Sequence, residues 1–366
     1  MGLLSFLSDA WVTCYQATGT APALQSPEVN EDTLCPKSRR TDFLLSHNGP
    51  MKIALIANAS ASSVTARTRV VIQKALSADH EVTVFETARR GHATRLARGA
   101  AAEGVEVVCV LGGDGTLNEA ANGVAGTSAA LAPLPGGSTN VFARTLGLPE
   151  DPVHATAVTL EALDAGSIRS IGLGSANGRY FLFHTGIGFD AAVVEQVEKR
   201  GQLKRWAGHS LFAFAAFDTW LRHYDRSEPH FTVNFDDGTT IEDGYFGICL
   251  NTDPYTYLGT QPFHVAPAAT LDRPMSMVTV RSLSALRLGR LAASTLRSSD
   301  GAKTGRGVDV RDDVTWVEVT SDRPFPYQLD GDHLGDVTSI EFAWEPDQLQ
   351  LVVPDGRIVP RPTDIL

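Results

Sequence analysis

The chain has 366 residues, is 43% hydrophobic and 20% charged, and carries a formal net charge of −11. That length exceeds one small core and fits two domains plus an extension. The acidic balance excludes general nucleic-acid binding, which needs a basic footprint, and no apolar stretch reaches the roughly 20 residues of a membrane-spanning helix.

Residues 1–50 are rich in small, polar and turn-forming residues, as in "TGTAPALQSPEVNEDT". The opening "MGLLSFLSDAW" reads as a short apolar helix, without the basic start or cleavage site of a secretory signal. Phe6 stands where the myristoylation pattern needs Ser or Thr. A flexible extension is expected over 1–50. The four cysteines form no C-x-x-C pair or His/Cys cluster, so neither zinc nor a disulfide scaffold is implied. Cys109 and Cys249 sit in strand-like apolar runs, and reduced thiols in a cytoplasmic protein are expected.

From Met51 the chain alternates. "MKIALIANA" (51–59) reads as a buried strand and turn, and "ARTRVVIQKALSADH" as a helix with its spacing at Val70, Val71, Lys74 and Ala75. "EVTVFET" is a strand, "HATRLARGAAAEG" a helix ended by glycine, and "VEVVCVLGG" another strand. This β-α-β-α-β order predicts a doubly wound α/β domain over 51–165, with a parallel sheet covered on both faces. From 166 to 345 strand-like runs are joined by turns such as Asn177-Gly178 and Asp237-Gly238, which suit tight hairpins. An antiparallel β-sandwich is expected there, interrupted by a helix near 202–222 and an Arg-bearing segment near 281–298. A C-terminal strand and tail are expected over 346–366, and a cleft between the two domains.

The stretch "VLGGDGTLNEAANGV" (110–124) places glycines where a strand ends and a helix begins. Such a turn lets backbone N–H groups approach an anion at the positive end of the helix. Gly112, Gly113 and Gly115 would serve a nucleotide phosphate. Gly136 and Gly137 form a candidate second loop, with Ser138, Thr139 and Asn140 as hydrogen-bonding groups. Both turns would face the crevice of a doubly wound sheet. Asp114 among them fits either magnesium held through water or hydrogen bonds accepted from backbone or ribose. Taken alone, Asp330-Gly331 reads equally as a hairpin turn.

"GGDGTLNEAANG" with "PLPGGSTNVFAR" resembles the catalytic domain shared by diacylglycerol kinases, sphingosine kinases and soluble bacterial lipid kinases. "GIGFDAAVV", "LKRWAGHSLFAF", "VAPAATLD" and "QLDGD" extend the likeness to Asp332, while residues 1–50 have no counterpart. The resemblance implies a two-domain kinase with ATP and magnesium in the cleft, acting on a lipid or amphiphilic alcohol. Nucleotide contacts are expected at Asn58, Thr87, Gly112, Gly113, Asp114, Gly115, Thr116, Asn118, Glu119, Gly137, Ser138 and Asn140. By the same resemblance Asp330 is the base toward the hydroxyl, joined by Asp114 at the catalytic centre. Asp190 lines the acceptor side, and Asp272 and Asp332 are the candidate metal ligands.

The likeness has departures. The family's Asn-Pro-x-Ser-Gly appears as Asn58-Ala59-Ser60-Ala61-Ser62, Val141 stands where an aspartate is usual, Arg273-Pro274 follows Asp272 in place of Asp-Gly, and Asp332 replaces a glutamate. These changes motivate a rival reading as a catalytically silent nucleotide- or lipid-binding module. An NAD kinase shares the Gly-Gly-Asp-Gly turn. Against it stand Asn118-Glu119, Asn122-Gly123 and the "PGGSTNVFAR" loop. No P-loop motif occurs. The acceptor lipid and a homodimer are both left open.

A lipid kinase without a span must dock on a surface. Residues 281–307 carry six basic residues against Asp300 alone, and basic charge beside apolar residues suits an anionic interface such as the inner membrane surface. Around Trp206 the apolar residues are expected to be core. Replacing Arg287, Arg290 and Arg297 with Glu should weaken sedimentation with anionic vesicles; unchanged binding would remove this role.

Overall fold

The computed structural model describes residues 49–354 apart from 62, 200–223, 226, 285–300 and 306. Residues 1–48 of the extension expected over 1–50, the helix near 202–222 and Arg287, Arg290 and Arg297 therefore lie outside the described residues.

The first half alternates as its sequence pattern requires. It runs β1 (Lys52–Ala57), α1 (Ala66–Leu76), β2 (Glu81–Glu86), α2 (His92–Ala102), β3 (Val107–Gly112), α3 (Asp114–Val124), β4 (Ala130–Pro135), α4 (Val141–Thr145) and α5 (Pro152–Asp164). The strands are parallel in the order β2-β1-β3-β4. Successive strand side chains point to opposite faces. Ile53 and Leu55 therefore pack with Ile72, Leu76, Ala155 and Leu163 of α1 and α5. Ala54 and Ile56 pack with Ala93, Ala97, Leu117 and Ala121 of α2 and α3. Helices on both faces explain why these strands are continuously apolar.

In α1 the buried stripe differs from the expected one. Val70 and Val71 are 46% and 40% exposed, and Ile72 and Leu76 face the sheet. The i,i+4 pair Ile72/Leu76 supplies the inward face, and Thr65 caps the helix by accepting from the Thr68 N–H.

The second half is antiparallel. It comprises β5 (Ile168–Ala176), β6 (Arg179–Phe181), β7 (His184–Gly188), α6 (Phe189–Lys199), β8 (Phe231–Phe235), β9 (Thr240–Gly244), β10 (Phe246–Leu250), β11 (Thr256–Leu258), β12 (Gln261–Phe263), β13 (Met275–Val280), β14 (Val308–Val314), β15 (Trp316–Leu329) and β16 (Asp332–Val352). The two-residue turns at Asn177-Gly178 and Asp330-Gly331 have positive φ at both positions, as a type I′ hairpin requires. Asp237-Gly238 differs: only Gly238 has positive φ, and the turn closes between Phe235 and Thr239.

β16 joins the halves. It pairs antiparallel with β15 and β5, and its last residues, Gln350 and Leu351, pair parallel with Ala130 and Leu131 of β4. One sheet path thus runs β14-β13-β10-β7-β15-β16-β4-β3-β1-β2. A second tie is the β11–β12 hairpin, where the Arg144 guanidinium of α4 donates to the Gly259 carbonyl (2.9 Å) and covers the Tyr257 ring. Cys109 and Cys249 are buried and free, and no helix among the described residues is long and apolar enough to cross a membrane.

Helices α2 and α3 meet at Gly123. A Cβ there would lie 2.5 Å from the Thr94 carbonyl oxygen and 2.8 Å from the Ala97 Cβ. In an open helix Gly→Ala gains about 1 kcal/mol, but overpacking against backbone costs about 1–3 kcal/mol. Gly123→Ala is therefore expected to lower the thermal unfolding midpoint, and a raised midpoint would show that the helices separate freely.

Candidate active site

Asn58, Thr87, Gly112 and Gly136 all follow or end strands of the parallel sheet, so they gather along its carboxyl edge. β1 has β2 on one side and β3 on the other, and the crevice between β1 and β3 is where such sheets bind ligands. The Asn58 N–H donates to the Leu111 carbonyl (2.9 Å), and its side-chain amide donates to Thr116 Oγ1 (2.9 Å). The Thr87 N–H donates to the Ala57 carbonyl (3.0 Å).

The two glycine loops touch each other. The Gly136 N–H donates to the Gly112 carbonyl (2.8 Å), and a Cβ on Gly137 would lie 2.7 Å from the Gly113 Cα. The second loop has no room for a side chain at this contact, whereas a Cβ on Gly113 would meet the Gly137 Cα at an ordinary 3.4 Å. Asn140 closes the second loop from a left-handed conformation (φ 49°). Its Oδ1 accepts from the Gly137 N–H at 2.8 Å and its Nδ2 donates to the Gly137 carbonyl at 2.9 Å. Ser138 is exposed at the tip. Gly113 is the N-cap of α3, and its missing side chain leaves the first turn without a side-chain cap.

Asp114 accepts hydrogen bonds from backbone, one of the two parts expected of it. Its carboxylate accepts from the Val141 N–H (3.0 Å) and the Phe142 N–H (3.2 Å), capping α4 and fastening the second loop to the first. Two of the expected nucleotide contacts, Glu119 and Asn118, hold protein partners here. Glu119 accepts from the Gly91 and Ala93 N–H groups and caps the start of α2. Asn118 is 1% exposed; its amide donates to the Tyr180 carbonyl (2.9 Å) and to Asp330 (2.8 Å), while its oxygen accepts from Arg179.

Asp330 is buried, with φ 46° in the β15–β16 turn. Its Oδ1 accepts from the Phe183 and His184 N–H groups (3.0 and 3.1 Å), and its Oδ2 from the Leu182 N–H and Asn118 Nδ2 (2.7 and 2.8 Å). Four donors fill both oxygens, which leaves no acceptor position for an incoming hydroxyl. Asp330, the base that the resemblance implies, fixes the β15–β16 turn through these four hydrogen bonds. Two residues on, Asp332 stands beside the first glycine loop. Its Oδ2 lies 3.1 Å from where a Gly115 Cβ would be, and its Oδ1 pairs with Arg90 at 3.0 Å.

Residues 52–176 match the family model described as "Diacylglycerol kinase catalytic domain". That segment, about a third of the chain, is similar to the diacylglycerol kinase catalytic domain. A Chromohalobacter salexigens protein named "Probable lipid kinase YegS-like" is 29% identical over 79% of this chain and 89% of its own length. The Bacillus subtilis "Diacylglycerol kinase" is 38% identical over 31% of this chain and 37% of its own length. The fold is that of a crystal structure titled as a diacylglycerol kinase from Bacillus anthracis, at 18% identity and a TM-score of 0.61, covering 84% of this chain and 98% of the other.

On the β-rich side of the kinase, Asp190 at the start of α6 accepts from the Tyr255 hydroxyl (2.7 Å) and from Gln328 Nε2 (3.0 Å). Burial raises its carboxyl against the pull of these two hydrogen bonds. The ring of His184 stacks on Tyr255, and burial lowers the imidazole to about 3, so it is neutral.

Among the described residues no three His, Cys, Asp or Glu side chains converge as a metal site. Asp272 is exposed and accepts from the Thr270 hydroxyl, and no described contact brings it to the loop. Magnesium usually takes one or two carboxylates together with phosphate oxygens. The hard carboxylate of Asp332, at the start of β16 and beside the glycine loop, fits this pattern.

Arg90 and Gln328 escaped the sequence reading. The basic pair in "TARRGH" directly after β2 was a usable signal for Arg90, since that turn opens at the carboxyl edge. Gln328 opens the "QLDGD" motif itself, without any charge to mark a role for it.

Burial pushes the Asp330 carboxyl up to about 7 in spite of its four hydrogen bonds. An unfolded aspartate titrates near 3.9, so between these values the folded state holds a proton that the unfolded chain has released. The stabilisation is full below about pH 4 and is lost as the pH rises through about 7. Asp330→Ala also strands buried donors, each at about 1–3 kcal/mol. The variant should melt below wild type, with the gap wider at pH 5 than at pH 8; a gap independent of pH would contradict the assignment.

Proposed function

We propose that this lipid kinase transfers the γ-phosphoryl group of ATP, with magnesium, to a hydroxyl of a lipid or amphiphilic alcohol. One observation carries the reading: Asp332, from the β-rich half, stands over the glycine loop of the α/β half beside Arg90. Phosphates at the Gly112–Gly115 turn would meet backbone N–H groups and the positive end of α3. The neighbouring Gly136–Gly137 turn, with Ser138 at its tip, closes the other side. Asn58 and Thr116, joined by their hydrogen bond, and Thr87 border the same edge.

Phosphoryl transfer depends mainly on alignment and charge neutralisation. Arg90 contributes fixed positive charge, and Asp332 with the phosphate oxygens would hold magnesium. The ion, when bound, neutralises charge on the transferring group. Asp114 keeps the two loops in register, and Asp330 holds the turn that presents Asp332. The alcohol enters from the β-rich side, where Asp190 lies. The reading includes contact with an anionic surface through 281–307, which brings the kinase to its acceptor.

Labelled ATP offered with diacylglycerol, phosphatidylglycerol, a sphingoid base and NAD, followed by product identification, tests the reaction. A phosphorylated lipid is expected. Phosphorylated NAD would overturn the acceptor class, and ATP binding without any product would leave a silent module. Asp332→Asn should lower kcat by roughly a hundredfold or more while ATP affinity measured without magnesium stays within a few fold. Wild-type turnover in that variant would remove Asp332 from the site.

A further inference from the structure

Gln328 is fully buried, and its side-chain amide is wired at both ends. The Nε2 donates to Asp190 Oδ2 at 3.0 Å, and the Oε1 accepts from the Gly331 N–H at 2.9 Å. An ionised carboxylate only accepts and a backbone N–H only donates, so the link needs one donating and one accepting end. Glutamate lacks the donor, lysine lacks the acceptor, and asparagine is a methylene too short. The carbonyl of Gln328 is also held, by the Thr185 hydroxyl at 2.6 Å.

A second motif makes room for this link. Gly186 of β7 is the ladder partner of Gln328. A Cβ on Gly186 would lie 1.6 Å from Asp190 Oδ2 and 2.8 Å from Gln328 Nε2. The missing side chain at 186, the carboxylate at 190 and the amide at 328 therefore form one device. It ends on Gly331, between the buried Asp330 and the loop-facing Asp332.

We propose that Gln328 is a positioning residue that couples Asp190, on the acceptor side, to the Asp330-Gly331 turn that holds Asp332 over the glycine loop. The proposal rests on the lipid-kinase reading for its kinetic consequence, but the coupling itself has a readout that needs no turnover. The titratable groups around the link are Asp190 from α6, Tyr255 ahead of β11, His184 on β7, His333 opposite Gln328 on β16 and Asp330 in the turn.

The experiment compares wild type with Gln328→Met, Gln328→Glu and Gly186→Ala as full chains, by steady-state kinetics and thermal unfolding from pH 5 to 8. Gln328→Met keeps the volume and removes both hydrogen bonds. It should lower kcat on the order of tenfold or more and leave the ATP dissociation constant within about twofold. Gln328→Glu opposes two carboxylates until one takes a proton, which restores a donor. Its kcat and melting point should therefore recover relative to wild type as the pH falls. Gly186→Ala should reproduce the Gln328→Met defect from the other strand.

Wild-type kcat in both Gln328 variants would overturn the proposal. So would defects that keep the same size at every pH in Gln328→Glu, because a merely structural lesion has no proton to recover. If wild type phosphorylates no acceptor, the lipid-kinase reading fails separately. The melting series then decides alone: acid recovery in Gln328→Glu supports the coupling, and parallel melting curves refute it.

Discussion

The Asp330 carboxylate collects four N–H groups from two distant stretches of chain, three of them successive amides of Leu182, Phe183 and His184 and the fourth the side chain of Asn118. Asn118 belongs to the helix that follows the first glycine loop, and Asp330 to the turn between the two longest strands. A buried carboxylate is tolerable only when its lone pairs are satisfied. This one can be satisfied only if the β6–β7 link, α3 and the β15–β16 turn meet at one point. The halves of the chain are thus held in one relative arrangement at the place where the site is formed. Asn122 adds to the seam by pairing its side-chain amide with the backbone of Tyr180.

The sheet reinforces the same constraint. β16 pairs with β15 at one end and with β4 at the other, so the turn carrying Asp332 is tethered to the strand that feeds the second glycine loop. Within the α/β half, the glycines are needed first by each other. Gly113 and Gly137 approach backbone to backbone, and Asp114 caps α4 across the gap. A loop that can approach a phosphate is thus also a loop that can approach its neighbour, because both require an absent Cβ. Gly115 serves a third approach, that of the Asp332 carboxylate.

Part of the site was legible because it is local. The parallel strands, their turns and the glycine loops follow from residue period and from backbone chemistry within a few positions. The Asn177-Gly178 hairpin and the Asp330-Gly331 turn are of the same kind. Elsewhere the local signal misled. Val70 and Val71 looked like an inward stripe, but α1 turns Ile72 and Leu76 to the sheet. Asn118 and Glu119 sit in the motif beside the loop, yet the helix rotates one toward the seam and the other toward the start of α2. Gln328 opens the recognised "QLDGD" motif but gave no sign of its role, since an amide is chemically silent until a donor and an acceptor are brought to its two ends.

By itself the chain's order of residues determined the α/β alternation, the antiparallel second half and the place of both glycine turns, because strand and helix periods and positive-φ turns act over short spans. Only the tertiary structure decided which carboxylate faces the loop. Asp330 and Asp332 are two positions apart, and a type I′ turn separates their directions. Which of them is buried depends on donors as far as 212 positions away in sequence. Long-range hydrogen bonding assigns those roles, and no local pattern encodes it.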